Sequence, residues 1–456
     1  MRRRRIGYPS GYPGSVWKWS TGEMRRSGVF NTGAFRFLVI SIPLLSCASA
    51  PEQSASLVDK YVRPEIDESR VCCGPSEVLA SLGLTRLLVG VRYDDPDATQ
   101  EGTPYDLRNV YLAGGLCDGP APCGSCTSCT AGGRSCASAD GGCPWWGCWQ
   151  WDELPPGDFV SSFAREAAAR GEIPMFTYYQ WLALSGGIEG TAEIQALDRL
   201  DLTLRYFNDF RFFLESIEDV PSIVHLEPDL WGFAQQFGGD PVQLPAQVSE
   251  ANPWDCDDLE DTLAGFGRCL IRMVRIYAPS SLVALHASGW STGTSVLFNR
   301  DPDVDVSSHA EQTAAYLEAC GATSADIIVA DITDRDAGYY EREGLDTWWD
   351  PTNESLPDFE QGIAWGAALS RRLDTPVLWW QIPVGNTRLP NREYQWQDNR
   401  VDYFLEHMAD VASGLAVGVV FGAGAEGQTS PLSDEGNLHS RFQAYLDAGG
   451  VAPEHE

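Results

Sequence analysis

The segment SIVHLEPDLWGF, residues 222–233, ends an apolar, β-branched run in Glu227, Pro228 and Asp229, with Trp231 two residues on. Two carboxyl groups placed where a buried strand meets solvent are suited to acid–base chemistry, because a dry setting holds one protonated while a wetter one leaves the other ionised. Similar endings recur along the chain. LLVGVRYDD leads to Arg92, Tyr93, Asp94 and Asp95, IPMFTYYQW to Tyr178, Tyr179, Gln180 and Trp181, and LVALHASGW to His286, Ser288 and Trp290. IIVADITDRDAGYYE supplies Asp331, Asp334, Asp336, Tyr339 and Glu341, VLWWQIPVGN supplies Trp379, Trp380, Gln381 and Asn386, and a last apolar run leads to Glu426 and Gln428.

Carboxylates, amides and indoles gathered at strand ends fit a polyhydroxylated ligand, since polar groups bind hydroxyls and aromatic faces stack on pyranose C–H faces. Hydrolysis of a glycosidic bond needs one protonated carboxyl as acid and one ionised carboxylate, about 5 Å apart for retention and roughly 6.5–9.5 Å for inversion. Glu227, at the junction of a dry strand and its rim, is the expected acid and Asp331, after IIVA, the preferred base. Asp334, Asp229 and Glu426 are substitutes. Asp94, Tyr178, Gln180, Trp231, His286, Trp290, Tyr339, Trp380, Gln381 and Asn386 are the expected substrate-binding residues. The competing reading makes Glu227 the internal ion partner of Arg92, with Pro228 ending the strand and Asp229 capping a turn. No organic cofactor or metal is expected: the six histidines lack HxH or HExxH spacing, and no nucleotide fingerprint or GxSxG elbow occurs. His225 and His286 are more often satisfied core or supporting groups than ligands.

The elements that must position these residues follow a βα alternation. Strands are expected at 87–94, 173–181, 222–229, 282–289, 326–334, 376–383 and 416–421, with a weaker one at 108–112 or before residue 85. Helical periodicity covers 160–170, 193–217, 259–277, 311–320, 359–373, 400–412 and 438–448. Strands apolar on both faces belong to a parallel sheet covered by helices. The expected fold is therefore α/β, a parallel (β/α) barrel of seven or eight strands (TIM-barrel-like), with a disulfide-rich loop insertion at 113–151. A doubly wound open sheet is the alternative, and the lack of a glycine-rich phosphate turn after the first strand weighs against it.

Export is expected from the N-terminus. Arg25 and Arg26 precede the short apolar run Phe37–Leu45, too short to span a bilayer as a helix. Leu44-Leu45-Ser46-Cys47 resembles a bacterial lipobox, which implies lipidation at Cys47, with secretion after cleavage near Ala50 as the alternative. The divisions are then a signal segment 1–47, a lead-in 48–84, the barrel 85–450 and a tail 451–456. Without residues 1–46 the chain keeps 24 Lys/Arg against 63 Asp/Glu, a net of −39. Such a surface repels phosphate backbones, so the expected partner is a carbohydrate polymer or oligosaccharide, not nucleic acid, with membrane contact through the lipid anchor alone. Salt adaptation would explain the same acidity. Thirteen cysteines less Cys47 leave twelve, an even number in an exported chain, and imply a disulfide framework. Cys123, Cys126 and Cys129 also carry the spacing of a partial metal-ligand set. Trp145, Trp146, Trp149 and Trp151 close the cysteine-dense segment, at least half of them expected to pack it onto the barrel.

The alternation and HLEPDLW resemble the (β/α)-barrel glycoside hydrolases. Leu226–Asp229 is similar to a strand ending in the family 6 cellulases, which invert configuration on a distorted barrel. That family's Asp-Arg-Asp-Cys loop is matched in three letters by Asp334-Arg335-Asp336, but later in the chain. The large retaining clan of barrel glycosidases carries its acid Glu on the fourth strand and its nucleophile Glu on the seventh. Here three strand candidates, not two, separate Glu227 from Glu426.

Overall fold

Eight short runs dominated by Val, Ile, Leu and aromatic residues form eight parallel strands in a computed structural model that describes residues 74–92, 104–113, 116, 149–150, 155–217 and 219–454. They are β1 Leu88–Arg92, β2 Leu107–Ala113, β3 Ile173–Tyr179, β4 Ile223–Leu226, β5 Leu282–Ala287, β6 Ile327–Asp331, β7 Val377–Ile382 and β8 Ala416–Phe421. Each pairs with the next, and β8 closes on β1 through Leu88↔Gly418 to Val91↔Phe421. This is the expected barrel, and the strand count is eight. The weaker candidate at 108–112 supplies β2. Its signal was faint because Arg108, Asn109 and Tyr111 interrupt the apolar run, although all three are buried.

At the closing seam Gly418 has φ +154°, and a Cβ there would lie 2.2 Å from the Leu88 carbonyl oxygen, so only glycine lets β8 approach β1. Helices cover the outside, and their limits follow capping chemistry. The helix expected from 259 begins at Leu263 (Leu263–Tyr277), because Thr262 accepts from the Gly265 N–H. That expected from 311 begins earlier (Val306–Ala319), where Asp305 accepts from Ser308. The span 193–217 is two helices, Thr191–Ala196 and Leu200–Ser216, separated at Arg199, whose backbone is extended. The span 400–412 breaks at His407 into Arg400–Glu406 and Met408–Ser413.

An aromatic layer joins β3 to its helices. Phe176 and Tyr178 pack on Phe213, Tyr178 lies against Phe210, and Phe163 of the helix Asp158–Ala169 meets Phe176. Trp149 is fully buried and stacks on Phe212, which agrees with the packing role expected for some of the tryptophans. Cys256 and Cys269 form a disulfide, while Cys320 is a buried free thiol. Among the described residues Cys320 has no sulfur partner, and the other expected cysteines of the framework lie outside them. Cys47, Asp94, Trp145, Trp146, Trp151 and nearly all of the cysteine-rich segment lie outside the described residues. Among the described residues no helix is long and apolar enough to cross a membrane.

Candidate active site

The barrel lumen contains a buried polar layer. Trp380 of β7 donates its indole N–H to Asn109 Oδ1 of β2 at 3.1 Å, across the barrel. Asn109 Nδ2 donates to Thr177 Oγ1 at 3.0 Å, and Thr177 meets His225 Nδ1 at 3.2 Å. His225 Nε2 lies 3.1 Å from His286 Nδ1, and His286 Nε2 lies 3.2 Å from Asp331 Oδ1. The imidazoles are fully buried and both present their rings edgewise to Trp380. Burial, and then the neighbouring His286, hold the His225 pKa well below the usual histidine range.

Carboxylates crown this layer at the strand C-termini. Asp229, just past β4, accepts from the Tyr179 hydroxyl at 3.1 Å. Its pKa is pushed up to about 7, first by burial and also by the charges of Asp331 and Glu189, against the opposing pull of His286 and Tyr179. Asp331 ends β6 with 14% of its side chain exposed. Asp334 accepts from Tyr340 at 2.5 Å, lies 3.5 Å from Arg335, and has its pKa raised mainly by burial. Glu193, 1% exposed, accepts from the Gly190 N–H, and burial followed by repulsion from Asp229 pushes it up to about 9. A site with paired acids, a buried imidazole chain and partly open carboxylates is equipped to give and take protons.

The backbone is unusual at these points. Glu227 has φ +42°, Asp229 φ +70° and Gln381 φ +57°. At Gln381 the β7–β8 register shifts. The irregularity lets two successive residues of β7 reach inward, so that Gln381 Nε2 donates to the Tyr111 hydroxyl at 2.7 Å beside the Trp380–Asn109 bond. Arg92 completes this side, its guanidinium over the Tyr111 ring and one N–H on the Ala423 carbonyl.

The residues expected at the site divide into three groups. Asp229, Asp331, Asp334, His286, Trp380 and Gln381 meet at the lumen and its mouth. Trp290 and Tyr339 stand half-buried at the strand ends, Trp290 against Phe233 with ring centres 4.7 Å apart, Tyr339 edge-on to Trp396. The others are placed elsewhere. Tyr178 points into the helix layer and donates to Asp209 at 2.6 Å, and its neighbour Tyr179 holds the rim position instead. Trp231 is 1% exposed and donates to the Leu226 carbonyl. Asn386 is buried and donates to the Asp434 carbonyl, and Glu426 is exposed. Gln180 is fully buried, with its backbone N–H on Glu227.

Glu227 itself is fully buried. Oε1 accepts from the N–H groups of Gln180 and Trp181 at 3.0 and 3.1 Å and from the Tyr206 hydroxyl at 2.7 Å. Burial pushes its pKa up to about 8 against these three donors. The carboxyl thus ties β4 to the end of β3 and to the helix Leu200–Ser216. With eight strands counted, Glu227 follows the fourth, while Glu426 follows the eighth, and the end of the seventh bears Trp380 and Gln381. The two-glutamate pattern of the retaining clan has no second carboxylate there. Sequence reasoning missed Asn109, Tyr111, Thr177 and Glu193, and named Tyr179 at its strand end without choosing it over Tyr178. The available signal was a polar residue inside an otherwise apolar strand, at Asn109 and Thr177.

No family model matches the chain, and no curated protein matches it in sequence. Similar solved structures include a modular endo-β-1,4-mannanase from Cellulomonas fimi, 12% identical over 82% of this chain and 76% of that one, with a TM-score of 0.44. A fungal β-1,4-galactanase is 10% identical over 82% of this chain and 98% of its own, with a TM-score of 0.40. An endoglucanase from Mycobacterium tuberculosis is 15% identical over 49% of this chain, with a TM-score of 0.26, and the chain spans 56% of its length. The barrel itself rests on the strand pairing, and the chemistry on the side chains of the rim.

Proposed function

We propose that this protein hydrolyses a glycosidic bond of a polysaccharide or oligosaccharide, with Asp229 as general acid and Asp331 as the ionised partner, base or nucleophile. The observation that carries the reading is the meeting of these two carboxylates at the barrel mouth in unlike settings. Asp229 is desolvated and titrates near neutrality, whereas Asp331 is faced by the His286 imidazole. Glu227 is assigned to positioning, because its acceptor atoms are taken up by β3 and Tyr206. Trp290 and Tyr339 offer ring faces, and Gln381 an amide, to sugar hydroxyls and C–H faces. In the same reading the chain is exported and anchored through Cys47, supported by the N-terminal sequence, and needs no organic cofactor.

The test is the release of reducing ends from a panel of plant, bacterial and algal polysaccharides by wild type, Asp229→Asn and Asp331→Asn. Release by wild type, reduced at least a hundredfold in each variant, supports the assignment. Binding to a polymer without any release would replace it with a non-catalytic glycan-binding protein.

A further inference from the structure

We propose that Trp380, Asn109, Thr177, His225 and His286 form one directed hydrogen-bond chain whose function is to fix the tautomer of His286, so that its Nε2–H is presented to Asp331 at the barrel mouth. The direction is set at the Trp380 end. An indole N–H can only donate, so the Asn109 atom facing it is the carbonyl oxygen Oδ1. The Asn109 NH2 then points to the Met175 carbonyl at 3.1 Å and to Thr177 Oγ1 at 3.0 Å. Thr177 accepts there and has its own proton free for His225 Nδ1 at 3.2 Å. A neutral imidazole that accepts at Nδ1 carries its proton on Nε2, which faces His286 Nδ1 at 3.1 Å. His286 is thereby also an Nε2–H tautomer, and that N–H faces Asp331 Oδ1 at 3.2 Å. The last approach is longer and less linear than an ideal bond. By hydrogen-bond geometry neither atom has a partner among the described residues, so the contact is a close approach of the ring nitrogen to the carboxyl and not a formed hydrogen bond.

The chain works in one direction only. A protonated Asp331 donating to His286 Nε2 would require both imidazoles to change tautomer. His225 Nδ1–H would then point at Thr177, whose hydroxyl proton would have lost its acceptor while Asn109 continued to donate. Reversal thus leaves a buried polar group unmatched, which the unreversed order avoids. The device answers a local need. Asp229 and Asp334 lie close enough to Asp331 that its charge raises the pKa of both. Arg335 is paired with Asp334, Tyr179 with Asp229, and His225 is the remaining titratable group behind His286. Asn109, Thr177, His225 and His286 are therefore positioning residues. Their role for catalysis rests on the glycosidase reading, but the order of tautomers does not.

The experiment is NMR on the full chain labelled with 15N-histidine. Two of the six imidazoles, His225 and His286, are expected as Nε2–H tautomers at pH 7. Thr177→Val should turn the His225 signal into a tautomer mixture, and Thr177→Ser should restore the Nε2–H form. An imidazolium or an Nδ1–H tautomer at His225 or His286 in wild type at pH 7 overturns the proposal. These wild-type readings decide even if Thr177→Val does not fold. Correct tautomers in a protein that cleaves no glycan leave the chain standing and remove only its catalytic purpose.

Discussion

The Tyr206 hydroxyl donates to Glu227 Oε1 at 2.7 Å from the helix Leu200–Ser216, on the outer side of the barrel wall. Together with the two backbone N–H groups of Gln180 and Trp181, it makes Glu227 a joint between β3, β4 and the helix layer. Glu227→Ala strands three buried donors, and the unfolding free energy should fall by about 2–4 kcal/mol in urea titrations. Glu227→Gln keeps an acceptor oxygen and should lose less, with turnover falling less than in Asp229→Asn. A Glu227→Gln protein of wild-type stability and no turnover would return the acid role to Glu227.

Asp229 and Asp331 are partly open at the strand ends and carry little of the packing. Replacing either by Asn should reduce kcat/KM by about 10²–10⁴, as for removal of a general acid or base, with the melting temperature nearly unchanged. The basic limb of the wild-type profile should fall near pH 7, where Asp229 loses its proton.

Glu193 gives a stability test that needs no substrate. Its pKa lies at about 9 in the folded chain, against about 4.3 when unfolded. Between those values the native state binds more protons than the unfolded state, so stability is fully present below about pH 4 and is lost as pH rises toward 9. Glu227 and Asp229 act in the same direction. Glu193→Gln should flatten the decline in urea-unfolding free energy between pH 5 and 9, and an unchanged slope would exclude a protonated Glu193.

The Cys256–Cys269 disulfide closes a loop of sequence separation 13 ahead of and into the helix Leu263–Tyr277. Replacing both cysteines by serine should lower stability by about 2–4 kcal/mol in denaturant titrations under non-reducing conditions. Cys320→Ser, at a thiol that is already free, should not reproduce the loss of a cross-link and should respond to burial of the hydroxyl alone.

The βα alternation, the preference for a parallel barrel of seven or eight strands over an open sheet, and the placing of Asp229, Asp331, Asp334, His286 and Gln381 at strand ends were legible in the sequence alone. These rest on runs of apolar residues, on helical periodicity and on the rule that the C-terminal strand ends share one rim. Which of two neighbouring side chains faces inward was not. A strand buried on both faces has no polar–apolar alternation to read, so Tyr178 and Tyr179 look equivalent until the pairing register turns Tyr178 onto Phe210 and Phe213 and Tyr179 toward Asp229. For Glu227 the deciding element was the helix residue Tyr206, twenty-one positions earlier in the chain. The lumen chain needed still more. Asn109 and Trp380 lie 271 residues apart and meet only because the barrel closes and β7 shifts register at Gln381. Local sequence sets what each strand can contribute, and closure of the sheet decides which contributions meet.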